Sequence, residues 1–132
     1  AFSNCISLTQ LNFPETLTTI DYNAFAGCVS IRNILFNKKI KAIGQMAFYN
    51  CDSLKTIEIP DSVTNLHIGA FSDCNNIHTV HIGSGIKDIK YSYFKDSNAI
   101  SKLYINNNAD SVIIDEDLLS HTKLDKSKIF FN

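Results

Sequence analysis

The sequence predicts a repeat solenoid, mostly β, built on one parallel sheet of short strands in a right-handed coil. Three observations predict it. Ala-Phe-x-x-Cys occurs four times at intervals of 23 residues, opening at Ala1-Phe2, Ala24-Phe25, Ala47-Phe48 and Ala70-Phe71 and closing at Cys5, Cys28, Cys51 and Cys74. A weaker copy follows in step, Tyr93-Phe94-x-x-Ser97, and the apolar residues between corners keep the same period. The composition is 45% hydrophobic and 19% charged with few Gly or Pro, which suits a packed chain and not a disordered one. A fixed period of about 20–50 residues means that each repeat is one unit that buries its apolar face only against its neighbours.

Each turn begins at the Ala-Phe-x-x-Cys corner. Phe and Cys three residues apart predict a single 3₁₀ or α-helical turn there, with a small Ala where adjacent turns approach closely. One buried Phe per turn contributes on the order of 2–3 kcal/mol, so the Phe ladder is the main glue between coils. Three residues after Cys comes an apolar column, Leu8, Ile31, Leu54, Ile77 and Ile100. Next come alternating pairs, Leu11/Phe13, Ile34/Phe36, Ile57/Ile59, Val80/Ile82 and Leu103/Ile105. Alternation at period two with β-branched and aromatic residues predicts a short strand with one buried face. Successive turns run the same way, so the strands are parallel and their connections right-handed. The return passes through bends at Pro14, Pro60 and Gly83 to Gly85, then the columns Leu17, Ile40, Val63, Ile86 and Ile20, Ile43, Leu66, Ile89.

Residues 1–108 are expected to form five coils cut from a longer array, with the first coil uncapped at Ala1. Residues 109–132 are expected to form a degenerate capping repeat. Ala109 and Val112 weakly fill the return columns, and Glu116-Asp117 stand where Ala-Phe belongs. With a two- or three-residue insertion, Lys128-Ile129-Phe130-Phe131-Asn132 aligns with Asn33-Ile34-Leu35-Phe36-Asn37, and Leu118, Leu119 and Leu124 pack on the last regular coil.

Charge narrows the function. Twelve basic and 13 acidic side chains leave a net charge of -1, which gives no electrostatic reason to expect nucleic acid or an anionic membrane. No apolar run approaches the ~20 residues of a membrane span. The four Cys occupy one equivalent position per turn, so they read as a ladder of buried free thiols in preference to disulfides, whose geometry parallel side chains do not meet. Ligands in a line make no tetrahedron, so no metal or other cofactor is expected. His78-Thr79-Val80-His81 lies on a bend and strand without a placed carboxylate, and Gly83-Ser84-Gly85 reads as a turn and not a nucleophile elbow. Asp110, Asp115, Glu116 and Asp117 lack calcium-loop spacing and read as a solvated loop. No enzyme is expected, since no constellation supplies a nucleophile, base and oxyanion donors.

The turn from Ala47 to Val63, Ala-Phe-Tyr-Asn-Cys-Asp-Ser-Leu-Lys-Thr-Ile-Glu-Ile-Pro-Asp-Ser-Val, resembles the BspA-like leucine-rich repeats. The resemblance covers about Ala1 to Ile105 and departs at Tyr93 and Ser97. It implies a leucine-rich-repeat horseshoe. It also implies a cell-surface or secreted protein that takes part in adhesion by contacting protein ligands of a host or neighbouring cell.

Inward positions are committed to packing, so recognition is expected on the outward strand positions. One column reads Gln10, Asn33, Thr56, Thr79, Lys102; its neighbour reads Asn12, Leu35, Glu58, His81, Tyr104, continued by Phe130; a flanking column reads Thr9, Arg32, Lys55, His78, Ser101. The expected partner-binding residues are Asn12, Asn33, Leu35, Thr56, Glu58, Thr79, His81, Lys102, Tyr104 and Phe130, with Leu35, Tyr104 and Phe130 as anchors. Two alternatives remain at this point: a spacer solenoid that presents another domain, and an intracellular protein-interaction module.

Overall fold

The structure, a computed structural model, describes residues 2–132; Ala1 lies outside the described residues. The strands in chain order are β1 (Gln10–Asn12), β2 (Thr19–Ile20), β3 (Asn33–Leu35), β4 (Ala42–Ile43), β5 (Thr56–Ile59), β6 (Asn65–Leu66), β7 (Thr79–Ile82), β8 (Asp88–Ile89), β9 (Lys102–Ile105), β10 (Ile113–Ile114) and β11 (Ile129–Phe131), with one short α-helix, α1 (Glu116–His121). Every strand pairing is parallel, as stacked coils require. In β5 the burial pattern alternates, with Ile57 and Ile59 inward and Thr56 and Glu58 outward.

Where one parallel sheet is expected, the coils build two ladders. The odd-numbered strands form the first, as β1-β3 and β5-β7-β9-β11; the return segments form the second, as β2-β4-β6 and β8-β10. The second ladder follows from geometry: once coils stack in register, any extended piece lies beside its equivalent in the next coil and pairs with it. The first ladder breaks between β3 and β5, where the second inward residue changes from Phe13 and Phe36 to Ile59. Phe36 stands edge-on to Phe48 with ring centroids 5.9 Å apart, and Ile34 is only half buried, whereas Ile57 is buried.

The corners hold the coils most regularly. Phe25 N–H donates to the Ala47 carbonyl at 2.7 Å, Phe48 N–H to Ala70 at 2.8 Å and Phe71 N–H to Tyr93 at 2.9 Å. Within a corner, Cys28 N–H closes back on the Phe25 carbonyl at 3.2 Å, the i to i+3 bond of a single 3₁₀ turn. The residue before each Cys is left-handed: φ is 58° at Asn4, 74° at Gly27, 58° at Asn50 and 54° at Asp73, and Asp96 before Ser97 has 64°. Gly, Asn and Asp tolerate that conformation best, which explains the column.

The Phe rings stack as one ladder, Phe2–Phe25–Phe48–Phe71–Phe94, with centroids 5.5, 5.4, 5.2 and 6.0 Å apart. All four cysteines are free, Cys28, Cys51 and Cys74 buried and Cys5 partly so. Each buried thiol has a directional partner. Cys28 Sγ–H donates to the Phe2 carbonyl at 3.0 Å, Cys51 to Phe25 at 3.4 Å and Cys74 to Phe48 at 3.1 Å. Ser97 repeats the bond, its hydroxyl donating to the Phe71 carbonyl at 2.6 Å. The column therefore selects a small side chain with a donor. Burial pushes the Cys28 thiol up, and the neighbouring Cys74 thiol together with burial pushes Cys51 up strongly, so both stay neutral.

The last segment inserts residues at two points. Ile114 lies opposite Ile89, which places two extra residues before the return column. Ile114 therefore takes the place expected of Val112, and Ala109 is exposed on a 3₁₀ turn (Ala109–Ser111). The place of Ala-Phe falls to Leu118-Leu119 on α1, with Leu118 and Leu124 buried in the common core and Leu119 packed against it. The helix is started by Asp115, whose carboxylate accepts from Asp117 N–H at 3.0 Å and from Tyr91 N–H at 3.1 Å. β11 then pairs with β9 in the aligned register, Ile129 opposite Leu103 and Phe130 opposite Tyr104.

Candidate partner-binding face

The first ladder aligns the outward residues. Asn12 lies opposite Leu35, Thr56 opposite Thr79, Glu58 opposite His81, Thr79 opposite Lys102, and His81 opposite Tyr104, which in turn lies opposite Phe130. Because the ladder breaks after β3, Asn12, Asn33 and Leu35 form a group apart from the seven residues on β5 to β11. Asn12, Asn33, Leu35, Thr56, Glu58, Lys102 and Phe130 are exposed, and Thr79, His81 and Tyr104 are half-buried.

Three of these side chains make a second aromatic stack, outside the core. The His81 imidazole lies on the Tyr104 ring at 4.6 Å and 8°, and Tyr104 lies on Phe130 at 4.9 Å and 22°. Leu35, at 68%, is among the most exposed large apolar residues of the chain. Beside this row lies a hollow of about 650 Å³ whose walls include Leu35, Phe36, Pro60, His81, Gly83 and Tyr104. Alternation reveals the outward columns but not the hollow, because Pro60 and Gly83 read from sequence only as bends.

The hollow's floor is tied down. Asp61 accepts from Ser84 N–H at 2.7 Å and from the Asn106 side-chain amide at 2.8 Å, and these bonds hold its carboxyl below the usual carboxylate range. A Cβ on Gly83 would stand 2.4 Å from the Pro60 carbonyl carbon, so only glycine lets the two coils meet there.

The remaining candidate groups are scattered. His78 is exposed with Nδ1 2.8 Å from Thr79 Oγ1, while His81 is engaged with Tyr104. Among the described residues no three His, Cys, Asp or Glu side chains cluster as metal ligands. No helix among them is long and apolar enough to cross a membrane.

Comparison with known proteins bears on the same features. The sequence matches the BspA type leucine rich repeat region, in six copies, over residues 1–125. Curated protein sequences give no match. A leucine-rich repeat protein of Bacteroides ovatus is 30% identical, with a TM-score of 0.72 over 79% of this chain and 27% of its own. The T. pallidum leucine rich repeat protein is 26% identical, with a TM-score of 0.78 over 94% of this chain and 57% of its own. A leucine rich cell surface protein of Faecalibacterium prausnitzii is 24% identical, with a TM-score of 0.80 over 93% of this chain and 31% of its own, a likeness of fold. The chain thus spans less than two thirds of each of these structures, and under a third of two of them. Corner, columns and stacked parallel coils agree with the family match over almost the whole length, and the chain belongs to the BspA-type leucine-rich repeat family.

Proposed function

We propose that this chain is a non-enzymatic protein-binding module of adhesin type. It works at a cell surface or in secreted form, and the odd-strand face contacts a protein of a host or neighbouring cell. The observation that carries this is the outward row of Leu35 and the stacked His81, Tyr104 and Phe130 beside an open hollow. Stacking fixes these rings before any partner arrives, which lowers the entropy lost on binding. Large apolar and aromatic groups with polar neighbours are the usual anchors of protein contacts. A spacer would be served by a uniform polar face; here the column Asn12, Leu35, Glu58, His81, Tyr104 and Phe130 changes residue type at every coil. The location follows the family, whose members typically sit on or outside cells. The buried Leu118 and Leu124 favour reading residues 109–132 as a degenerate repeat covering the last regular coil.

The test is binding to a panel of extracellular-matrix and epithelial surface proteins, with a Leu35→Asp/Tyr104→Asp variant of unchanged circular dichroism run beside the native chain. The variant is expected to lose about tenfold or more in affinity. Equal binding by both moves the site off this face. No binding by the native chain to any member turns the assignment towards the spacer.

A further inference from the structure

The boundary between the coils of β3 and β5 is joined on one side only. The spine side, formed by the corners and return segments, is intact. Phe25 stacks on Phe48, Gly27 N–H donates to the Tyr49 carbonyl at 2.7 Å, Asn65 N–H to Lys41 at 3.1 Å and His67 N–H to Ile43 at 3.1 Å. The strand side is open. Ahead of β3, β7 and β9, Arg32 N–H donates to Thr9 at 2.8 Å, His78 to Lys55 at 2.9 Å and Ser101 to His78 at 2.9 Å; Lys55, in the same column, makes no such bond to Arg32. Every other neighbouring pair in the odd-strand ladder is hydrogen-bonded, so this is its one unpaired boundary among the described residues.

Two residues account for the gap. In later coils Asn106 N–H donates to the Ile82 carbonyl and Asn132 N–H to Ile105, both at 2.9 Å. Pro60 fills the column of Asn106 and has no N–H, so the Phe36 carbonyl lacks that partner. Phe36 also sides with the coil before it: its ring stacks on Phe13 at 5.8 Å and 11°, but meets Phe48 edge-on at 88°. The two facing strand edges are therefore unpaired. Lys55 O accepts from His78 and Thr79 N–H, which turns Lys55, Ile57 and Ile59 towards β7; alternation turns the amides of Thr56 and Glu58 towards β3. Buried backbone groups without partners are rare, and here the hollow lets water reach them. Ile34, Leu35 and Phe36 wall it on one side of the gap, and Glu58, Ile59 and Pro60 on the other.

We propose that this boundary is a hinge: the coils before it and the coils after it move as two bodies about the joined spine. Widening the gap breaks no strand-to-strand hydrogen bond, whereas opening the strand side of any other boundary breaks a run of them, each net favourable. The spine bonds and the Phe25–Phe48 stack hold the two bodies together and set the axis. Movement about it swings Asn12, Asn33 and Leu35 against Glu58, His81 and Tyr104, so the strand face changes curvature at one defined place. The hinge stands whether or not that face binds a partner.

Residue-resolved amide exchange on the native chain tests the gap. The Glu58 amide is expected to exchange at least about tenfold faster than those of His81 and Tyr104, its equivalents in paired strands. Equal protection at all three would show a closed ladder and overturn the proposal. Movement is read from spin-label distance distributions in a Cys5→Ser background, where the remaining thiols are buried. Three labelled pairs each span three coil spacings, roughly 14 Å. Asn33→Cys/Lys102→Cys crosses the hinge on the strand side, Lys41→Cys/Ile113→Cys crosses it on the spine side, and Thr56→Cys/Lys128→Cys lies on the strand side beyond it. The first distribution is expected to be broader than the other two. Equal widths would show a static gap and overturn the hinge. Pro60→Asn, which restores an N–H as at Asn106, is expected to slow Glu58 exchange by about threefold or more and to narrow the first distribution.

Discussion

Phe48 and Phe2 occupy the same place in their coils and differ only in their neighbours. Phe48 lies between Phe25 and Phe71, with centroids 5.4 and 5.2 Å away, and is fully buried. Phe2 stacks on Phe25 at 5.5 Å and 2°, an equally good contact, yet is 56% exposed. The contrast runs through the whole coil: Leu8, Leu17 and Cys5 are half-buried, and their equivalents Leu54, Val63 and Cys51 are buried completely. Burial here belongs to the interface between coils and not to the residue, as expected of a stack that interacts only with nearest neighbours. The sharpest way to break this comparison is Phe48→Ala, which removes a ring from two interfaces at once. It should cost about 3–5 kcal/mol in urea-unfolding free energy. A loss below about 1 kcal/mol would mean that the Phe column does not hold the coils together.

A smaller effect tests how the first coil is held. Asn37 is buried, and its amide donates to the carbonyls of Pro14 at 2.6 Å and Leu17 at 3.0 Å in the coil before it. Its oxygen accepts from Lys39 N–H at 2.7 Å and Ile40 N–H at 3.0 Å. Asn107 makes a similar clasp in a later coil, to Ser84 O at 3.1 Å and Ile86 O at 3.4 Å. Asn37→Ala strands these groups and should cost about 1–3 kcal/mol. Because the lost bonds join only two coils, hydrogen exchange should quicken at Leu17 and its neighbours and stay unchanged from β5 onward. Uniform acceleration along the chain would show the solenoid to be one cooperative unit.

The clasp also shows what the sequence hides. The 23-residue period and the inward columns are legible because each inward position must match its neighbour in size, which leaves a repeated mark. Outward columns are legible for the opposite reason: alternation identifies them while leaving their identity free. Asn37 breaks no pattern that can be read, since Pro14, Asn37, Pro60, Gly83 and Asn106 fill one column with three different residue types. The two-residue strands of the second ladder are too short to show alternation. The shift from Val112 to Ile114 depends on where an insertion bulges, which apolar spacing alone leaves open. At the proposed binding face the columns could be read, but the His81–Tyr104–Phe130 stack and the hollow beside Pro60 depend on side-chain direction and coil bending. The left-handed column before each Cys was open to discovery, because Asn4, Gly27, Asn50, Asp73 and Asp96 are all types that favour positive φ.

The Cys column gives a still smaller effect. Cys74→Ala removes the donor that satisfies the Phe48 carbonyl, whereas Cys74→Ser keeps one, as Ser97 does for Phe71. The Ser variant should be more stable than the Ala variant by about 1 kcal/mol. The reverse order would make the column one of volume alone. Native thiol labelling sharpens the comparison of coils, with Cys5 expected to react first and Cys28, Cys51 and Cys74 only on opening.

The smallest effect belongs to the other half of the opening contrast. Phe2→Ala deletes the same ring as Phe48→Ala, but from a site with a coil on one side only, where more than half of the residue already meets water. The transfer term shrinks with the area actually buried, and no closed cavity is left behind to add to it. A loss under about 1 kcal/mol is therefore expected, several-fold less than at Phe48. Comparable losses at the two positions would show that the first coil is buried in solution. The open apolar surface around Phe2, Leu8, Phe13 and Tyr22 would then be covered by something that stacks on it as one coil stacks on the next.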